Sequence, residues 1–179
     1  MIKIRKGTTY IELLVYIAVL TIFMSGMVMY TLIGQKQRLY SNAIQELSYN
    51  IRFINNKLNY EIGSASSVSV DSPNQITLTY DLSEDSYRNP TIIRLNGGVL
   101  EIGIGTDTNR PCNTTNFCNL STNLVSVDSV DFQDLTITGG LPTINYTLNL
   151  TYIGNSTINS DNVIKRSISS SVVANSSSN

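Results

Sequence analysis

An uncharged and mostly apolar run from Leu13 to Gln35 constrains this chain more than any other feature of its sequence. As an α-helix rising ~1.5 Å per residue, the run would span roughly 35 Å, which is enough to cross the hydrocarbon core of a bilayer. Lys3, Arg5 and Lys6 precede the run, and basic residues beside a membrane span stay on its cytoplasmic side. The sequence therefore predicts a single-pass protein of the cytoplasmic membrane, with a cytoplasmic leader and an extracytoplasmic C-terminal part.

Two simpler interpretations of this N-terminal segment stay open. A secretory signal peptide has a shorter apolar run and ends in an A-x-A cleavage site, which this run lacks. A plain signal anchor accounts for the run but not for Glu12, because a carboxylate costs on the order of 2–3 kcal/mol at bilayer depth. Ionisable residues inside a membrane usually have a partner, so Glu12 is the first candidate functional residue.

The ten residues from Lys6 to Val15, KGTTYIELLV, resemble the N-terminal signal of type IV pilins and type II secretion pseudopilins. That signal has a basic leader, a glycine, usually a phenylalanine, three residues with an apolar bias, a glutamate and then a hydrophobic helix. The resemblance implies that a prepilin peptidase cuts between Gly7 and Thr8, so that Glu12 is the fifth residue of the mature chain. Because Thr8 stands where the family usually has phenylalanine, N-methylphenylalanine cannot form, and methylation of the Thr8 amine is an open expectation.

The same resemblance implies a role for Glu12 and a set of partners. In this family the acidic residue pairs with the free N-terminal amine of a neighbouring subunit during filament assembly. The implied partners are other pilin or pseudopilin subunits, the prepilin peptidase, the inner-membrane assembly platform and membrane lipid. The implied final location is a pilus or pseudopilus, at the cell surface or in the periplasm.

Beyond the apolar run, the pattern becomes that of a helix with one apolar face. Apolar residues alternate spacings of four and three at Tyr40, Ile44, Leu47, Ile51, Ile54 and Leu58. Gly63 and Ser64 are a plausible stop, so a continuous helix is predicted from about Thr9 to Ile62. The stripe is expected to pack on a C-terminal head, and a coiled-coil dimer is the alternative.

After Gly63 the apolar period becomes two, which is typical of β-strands, and β-branched residues are dense. The predicted strands are Val68–Val70, Gln75–Tyr80, Thr91–Leu95, Val99–Ile102, Val125–Val127, Val130–Ile137, Ile144–Tyr152 and Val163–Val173. Asn96-Gly97-Gly98 separates two of them and predicts a hairpin. The order of these features also resembles minor pilins and the larger minor pseudopilins. A small antiparallel sheet needs a partner for its apolar face, and the helix stripe is the expected one.

The predicted fold class is therefore α+β: a long N-terminal helical spine packed on a mainly antiparallel β-sheet head. The expected organisation is a leader over 1–7, a transmembrane or filament-core helix over 8–35, the amphipathic half of the spine over 36–62, a β-rich head over 63–175 and a flexible tail over 176–179.

The two cysteines, Cys112 and Cys118, lie six positions apart in a loop-like segment. Downstream of a membrane span they are expected to form a disulfide, because cysteines outside the cytoplasm meet an oxidising environment. Two free thiols in a reduced loop are the alternative. Phe117 lies within this loop, which makes the loop a candidate contact for a tip-located subunit that binds a surface, DNA or a secreted substrate.

Composition argues against several other functions. The chain has no histidine, which removes His-based triads and His metal sites, and its net charge of −1 provides no electrostatic case for nucleic acid. Asp81, Glu84 and Asp85 form an acidic cluster in a loop, but without the spacing of an EF-hand. We therefore predict a structural subunit without catalytic residues, metal or cofactor, rather than an anchored enzyme.

Overall fold

The N-terminal part of the described chain is one α-helix, α1 (Tyr10–Ser64). The computed structural model describes residues 9–81, 86–154 and 163–174, without the side chain of Ser86. The leader over 1–7, Thr8 and the tail over 176–179 lie outside the described residues. The chain forms two compact units, Met1–Ser41 and Asn42–Asn179, which are described separately below. The predicted helix from Thr9 to Ile62 is confirmed to within two residues at its C-terminal end.

Within the second unit, α1 buries one face against the head. Ala43, Leu47, Ile54, Leu58 and Ile62 have no exposed surface. The predicted stripe is therefore correct at Leu47, Ile54 and Leu58, whereas Ile44 and Ile51 are only half-buried at its margin. The coiled-coil alternative is wrong for residues 43–62, because the head of the same chain covers this face.

Tyr40, the first residue of the predicted stripe, is 51% exposed, so the prediction that it belongs to the buried face is wrong. Two polar residues, Asn50 and Glu61, occupy buried positions of the same face instead. Asn50 accepts the Thr122 backbone N–H at 2.9 Å, so the helix is tied to the head by polar contacts as well as apolar ones. A pattern of apolar residues alone does not reveal such buried polar positions.

The first part of the head is a five-stranded antiparallel sheet with its strands in chain order. Its members are β1 (Ser67–Ser72), β2 (Gln75–Thr79), β3 (Thr91–Asn96), β4 (Val99–Ile104) and β5 (Cys118–Asn119). The predicted hairpin is confirmed between β3 and β4. Gly97 and Gly98 both have positive φ, at 56° and 83°, as a two-residue turn of the type favoured by Asn-Gly requires.

The head has a second sheet, which the sequence did not reveal. The strands β6 (Val125–Asp134), β7 (Thr143–Tyr152) and β8 (Lys165–Val173) form a three-stranded antiparallel sheet. Two predicted strands, Val125–Val127 and Val130–Ile137, are one strand with a bulge between Val127 and Ser129. This strand ends before Ile137, because the Asp134 carboxylate accepts the Thr136 N–H at 2.8 Å and turns the backbone.

The core of the head lies where α1 and the inner faces of both sheets meet. Ile76, Leu78, Ile93 and Leu100 of the first sheet are fully buried, and so are Ile144, Tyr146, Leu148 and Leu150 of the second. Fully burying each aliphatic side chain contributes about 1.5–3 kcal/mol relative to leaving it exposed. The Tyr146 hydroxyl lies 2.7 Å and 2.9 Å from the side-chain oxygens of Asn55 and Asn59, which gives the helix a defined position on β7. The α+β class is thus confirmed, with two sheets in place of one.

Candidate functional site

From Tyr10 onward, the first unit is a mostly apolar helix whose side chains are exposed all the way round. Its most apolar 18-residue window has a mean hydropathy of 2.2, and none of that window is buried. Exposed side chains cover every side of the helix, among them Leu13, Leu14, Val15, Ile17, Leu20, Ile22, Phe23, Met27, Val28 and Leu32. The length and composition of this helix suit a single membrane span. An apolar surface of this size is not stable in water without a lipid or protein partner.

The serine and threonine hydroxyl groups within this segment form hydrogen bonds inside the helix itself. Thr21 donates to the Ala18 carbonyl, Ser25 to the Thr21 carbonyl and Thr31 to the Met27 carbonyl, each at 2.8 Å. Such bonds remove the cost of placing a free hydroxyl in an apolar environment. The apolar segment therefore presents little polar surface of its own between Leu13 and Gln35.

Glu12 lies in the first turn of α1 and is exposed. An acidic residue there is favoured by the helix dipole, typically by about 0.3–1 kcal/mol. Among residues 9–81, 86–154 and 163–174, no basic side chain forms an ion pair with Glu12. The dipole offsets only part of the cost of a carboxylate at the edge of an apolar segment, so this charge calls for a partner outside the described chain.

The other residues predicted to take part in processing cannot be placed beside Glu12. Lys3, Arg5, Lys6, Gly7 and Thr8 all lie outside the described residues. The leader charge, the cleavage site and methylation of Thr8 therefore remain predictions. Glu84 and Asp85 of the acidic loop cluster also lie outside the described residues.

A buried carboxylate in the head was missed at the sequence level. Glu61 of α1 is 1% exposed and accepts hydrogen bonds from the Tyr80 hydroxyl at 2.6 Å and from the guanidinium of Arg88, which is itself 6% exposed. The Lys57 ammonium lies 2.7 Å from its second oxygen. These contacts join α1 to the end of β2 and to the short 3-10 helix Ser86–Arg88. A sequence signal did exist, since Glu61 lies three positions after Leu58 on the buried face.

The charge of this carboxylate is maintained by its partners. Burial alone raises the pKa of a carboxyl, but the hydrogen bonds from Lys57 and Tyr80 and the charges of Lys57 and Arg88 outweigh it. The pKa of Glu61 therefore lies below its ordinary value of 4.5. Burial and the hydrogen bond to Glu61 raise the pKa of the Tyr80 phenol, so it stays protonated and donates.

The predicted disulfide between Cys112 and Cys118 is formed. The loop that it closes lies directly on β4, where a Cβ at Gly103 would lie 2.9 Å from the Asn113 carbonyl oxygen. Phe117 is half-buried, and the Arg94 guanidinium lies 3.7 Å from its ring centroid. Phe117 is thus partly covered by the head itself, which reduces its value as the tip contact suggested by the sequence.

Replacing both cysteines by serine should lower the free energy of unfolding by about 2 kcal/mol, because the reduced unfolded chain regains the freedom of a short loop. Urea denaturation of the full chain in detergent, followed by circular dichroism, measures the change. A reducing agent should shift the wild type by a similar amount and leave the variant unchanged. Equal urea midpoints of unfolding for the variant and the wild type would show that the disulfide adds no stability.

No protein-family model, curated protein or solved structure matches this sequence. The class of the protein is therefore defined by its own fold and site. It is an α+β protein with a disulfide-bonded head and an N-terminal helix long and apolar enough to be a single membrane span.

Proposed function

We propose that this chain is a pilin-like subunit of a type IV pilus or a type II secretion pseudopilus, and that it acts by assembly without catalysing a reaction. It is inserted in the cytoplasmic membrane, cut between Gly7 and Thr8 by a prepilin peptidase, and then bundled into a filament through its N-terminal helix. The observation that carries the proposal is an exposed apolar helix with an acid, Glu12, in its first turn that forms no ion pair with a basic side chain among the described residues.

The apolar surface supports assembly from a membrane. Side chains on every side of the segment from Leu13 to Ile33 are exposed in the single chain, so the segment has neighbours all round when it is buried. Lipid provides such an environment before assembly, and a bundle of equivalent helices provides it afterwards. Because both environments are apolar, transfer between them removes little hydrophobic stabilisation, and packing and polar contacts decide the direction.

Glu12 supplies one such polar contact. A carboxylate at bilayer depth costs on the order of 2–3 kcal/mol, and less near the interface. Cleavage after Gly7 would create a positively charged amine on Thr8, four residues away from Glu12 in the sequence. In a bundle, the amine of one subunit is then available to the Glu12 of another. This ion pair offsets the free-energy cost of the unpaired Glu12 carboxylate in the membrane-inserted subunit.

The head supports the same proposal. Its helix face is covered by its own strands and its loop is closed by a disulfide, two features that suit a domain outside the cytoplasm. The buried Glu61 network adds a specific attachment of the helix to the sheet. A subunit that is pulled by its N-terminal helix requires a head that is firmly attached to that helix.

Substitution of Gly7 by a bulky residue such as valine should leave the leader attached, because a side chain at the cut site obstructs the peptidase. Co-expression with a prepilin peptidase, followed by mass spectrometry of the N-terminus, measures cleavage. The wild type is expected to begin at Thr8 and the variant to retain residues 1–7. Thr9→Ala serves as the control and should be cut normally. Correct cleavage of Gly7→Val would contradict the assigned site.

A further inference from the structure

The head contains a cleft that the proposed function does not use. It has a volume of about 350 Å³ and lies beside α1, with Tyr60 and Tyr87 as exposed aromatic walls. Three basic residues, Lys57, Arg88 and Arg110, also line it. Its volume is at the lower end of the range for small-ligand sites, which commonly combine aromatic walls with a few polar groups. A cleft of this size accommodates a ligand about as large as one ring with its substituents.

The charge of the cleft is opposite to that of the head around it. Residues 42–179 contain seven basic and twelve acidic residues, yet three of the seven basic ones line this cleft. Glu61 is its only acidic lining residue among those that the structure describes. A local positive potential within an acidic domain favours the binding of an anionic group there.

Two of the three basic side chains have donors to spare. Arg88 is committed to the Glu61 carboxylate. The Lys57 ammonium has three donors and contacts Glu61 at 2.7 Å. Arg110 Nε lies 3.7 Å from the Asp107 carboxylate, which is longer than a charge-assisted hydrogen bond of about 2.7–2.9 Å. Lys57 and Arg110 therefore have N–H donors that these contacts do not fully use.

The position of Arg110 suits recognition of a carboxylate. Its guanidinium carbon lies 4.1 Å from the Tyr87 ring centroid, so the aromatic ring supports the guanidinium and limits its movement. A guanidinium held in this way can donate two parallel N–H hydrogen bonds to the two oxygens of a carboxylate. Tyr60 contributes a ring that is 61% exposed, with a hydroxyl group at its edge.

We propose that this cleft binds an acidic sugar, with the carboxylate of a uronic acid on Arg110, supported by the charge of Lys57, and the sugar ring against Tyr60. A sugar ring has an apolar C–H face and a hydroxyl edge, and a tyrosine ring with its hydroxyl offers the matching pair of surfaces. A simple inorganic anion would use the donors but not the aromatic walls. The choice of a polysaccharide source rests on the proposed function, which places the head outside the cytoplasm.

Isothermal titration calorimetry of the full chain in detergent micelles tests this site, with trigalacturonate as the probe and neutral galactotriose as its uncharged counterpart. Trigalacturonate should bind and galactotriose should bind at least about tenfold more weakly, since a hydrogen-bonded charge contributes at least one factor of ten. Arg110→Gln should weaken trigalacturonate binding by at least about tenfold. The matched control is Arg94→Gln, an arginine that is likewise stacked on an aromatic ring but outside the cleft, and it should bind as the wild type does.

Several outcomes would overturn the proposal: no binding of trigalacturonate, equal binding of galactotriose, equal losses in Arg110→Gln and Arg94→Gln, or inorganic phosphate or an oligothymidylate binding as tightly as the sugar. Urea denaturation of Arg110→Gln shows whether that variant is folded. Binding in micelles needs neither leader cleavage nor a filament, so its failure is distinct from a failure of the pilin-like proposal. Conversely, Arg110→Gln should enter filaments normally.

Discussion

Replacing Glu12 by alanine or leucine should leave the chain in the membrane and reduce its incorporation into filaments by at least about tenfold. In the wild type, the unassembled subunit bears the cost of an unpaired carboxylate, on the order of 2–3 kcal/mol at bilayer depth, and pairing on assembly relieves it. The variant has no carboxylate in the membrane and no ion pair in the filament. The membrane-inserted subunit is then no longer disfavoured relative to the assembled one. Because about 1.4 kcal/mol corresponds to a factor of ten, the loss should be easy to measure.

Quantifying the subunit in membranes and in sheared filaments separates insertion from assembly. Glu12→Asp keeps the charge and should restore much of the incorporation, whereas Asp131→Asn removes one charge from the head and should have no effect. Normal incorporation of Glu12→Ala would rule out the pairing mechanism. Loss of Glu12→Ala from the membrane fraction would show instead that this residue acts during insertion.

Replacing Arg88 by methionine should destabilise the head by about 3–5 kcal/mol, because it leaves the buried Glu61 carboxylate without its guanidinium partner. Urea denaturation of the full chain in detergent measures the loss. Arg94→Met is the matched control, since Arg94 pairs with Glu101 at a more exposed site, where an ion pair contributes about 0–1 kcal/mol. Equal losses in the two variants would contradict a special role for the buried network. Glu61→Leu combined with Arg88→Met should recover part of the stability, as the unpaired charge is then absent.

The same network makes stability depend on pH. The pKa of Glu61 is lower in the folded chain than its ordinary value of 4.5, so the unfolded chain binds more protons there in acid. Its contribution is therefore fully present above pH 4.5 and is lost as the pH falls through the folded pKa. The acid loss of stability should be smaller in Glu61→Gln, which cannot titrate. The measurement is the free energy of unfolding of the wild type and of Glu61→Gln as a function of pH. An equal decrease in both proteins would show that other carboxyls account for the acid sensitivity.

Much of the fold was predictable because its patterns are local. The apolar run and the stripe from Leu47 to Leu58 define α1, and Asn96-Gly97-Gly98 identifies one hairpin by its turn residues. The separation of the head into two sheets was not predictable. Alternating residues indicate that a segment is a strand, but not which strand it pairs with, and pairing depends on contacts between distant segments.

The candidate sites divide in the same way. Glu12 is visible in the sequence because a lone acid beside an apolar run is unusual, and Cys112 and Cys118 are visible because they lie close together. Glu61 and Arg88 are 27 positions apart, and no local pattern in the sequence pairs them. Arg110 and Tyr60 come to one cleft only because the segment just before the disulfide loop and the spine helix meet there.

The sequence by itself therefore determined the elements with a local cause: the apolar helix, its acid, the strands and the disulfide. Only the tertiary structure decided which polar residues share the buried face of α1, how the strands divide between two sheets, and which charges meet inside the head. The reason is physical. Helix and strand periodicity depends on neighbours a few residues away, whereas burial and charge pairing depend on residues brought together from distant parts of the chain.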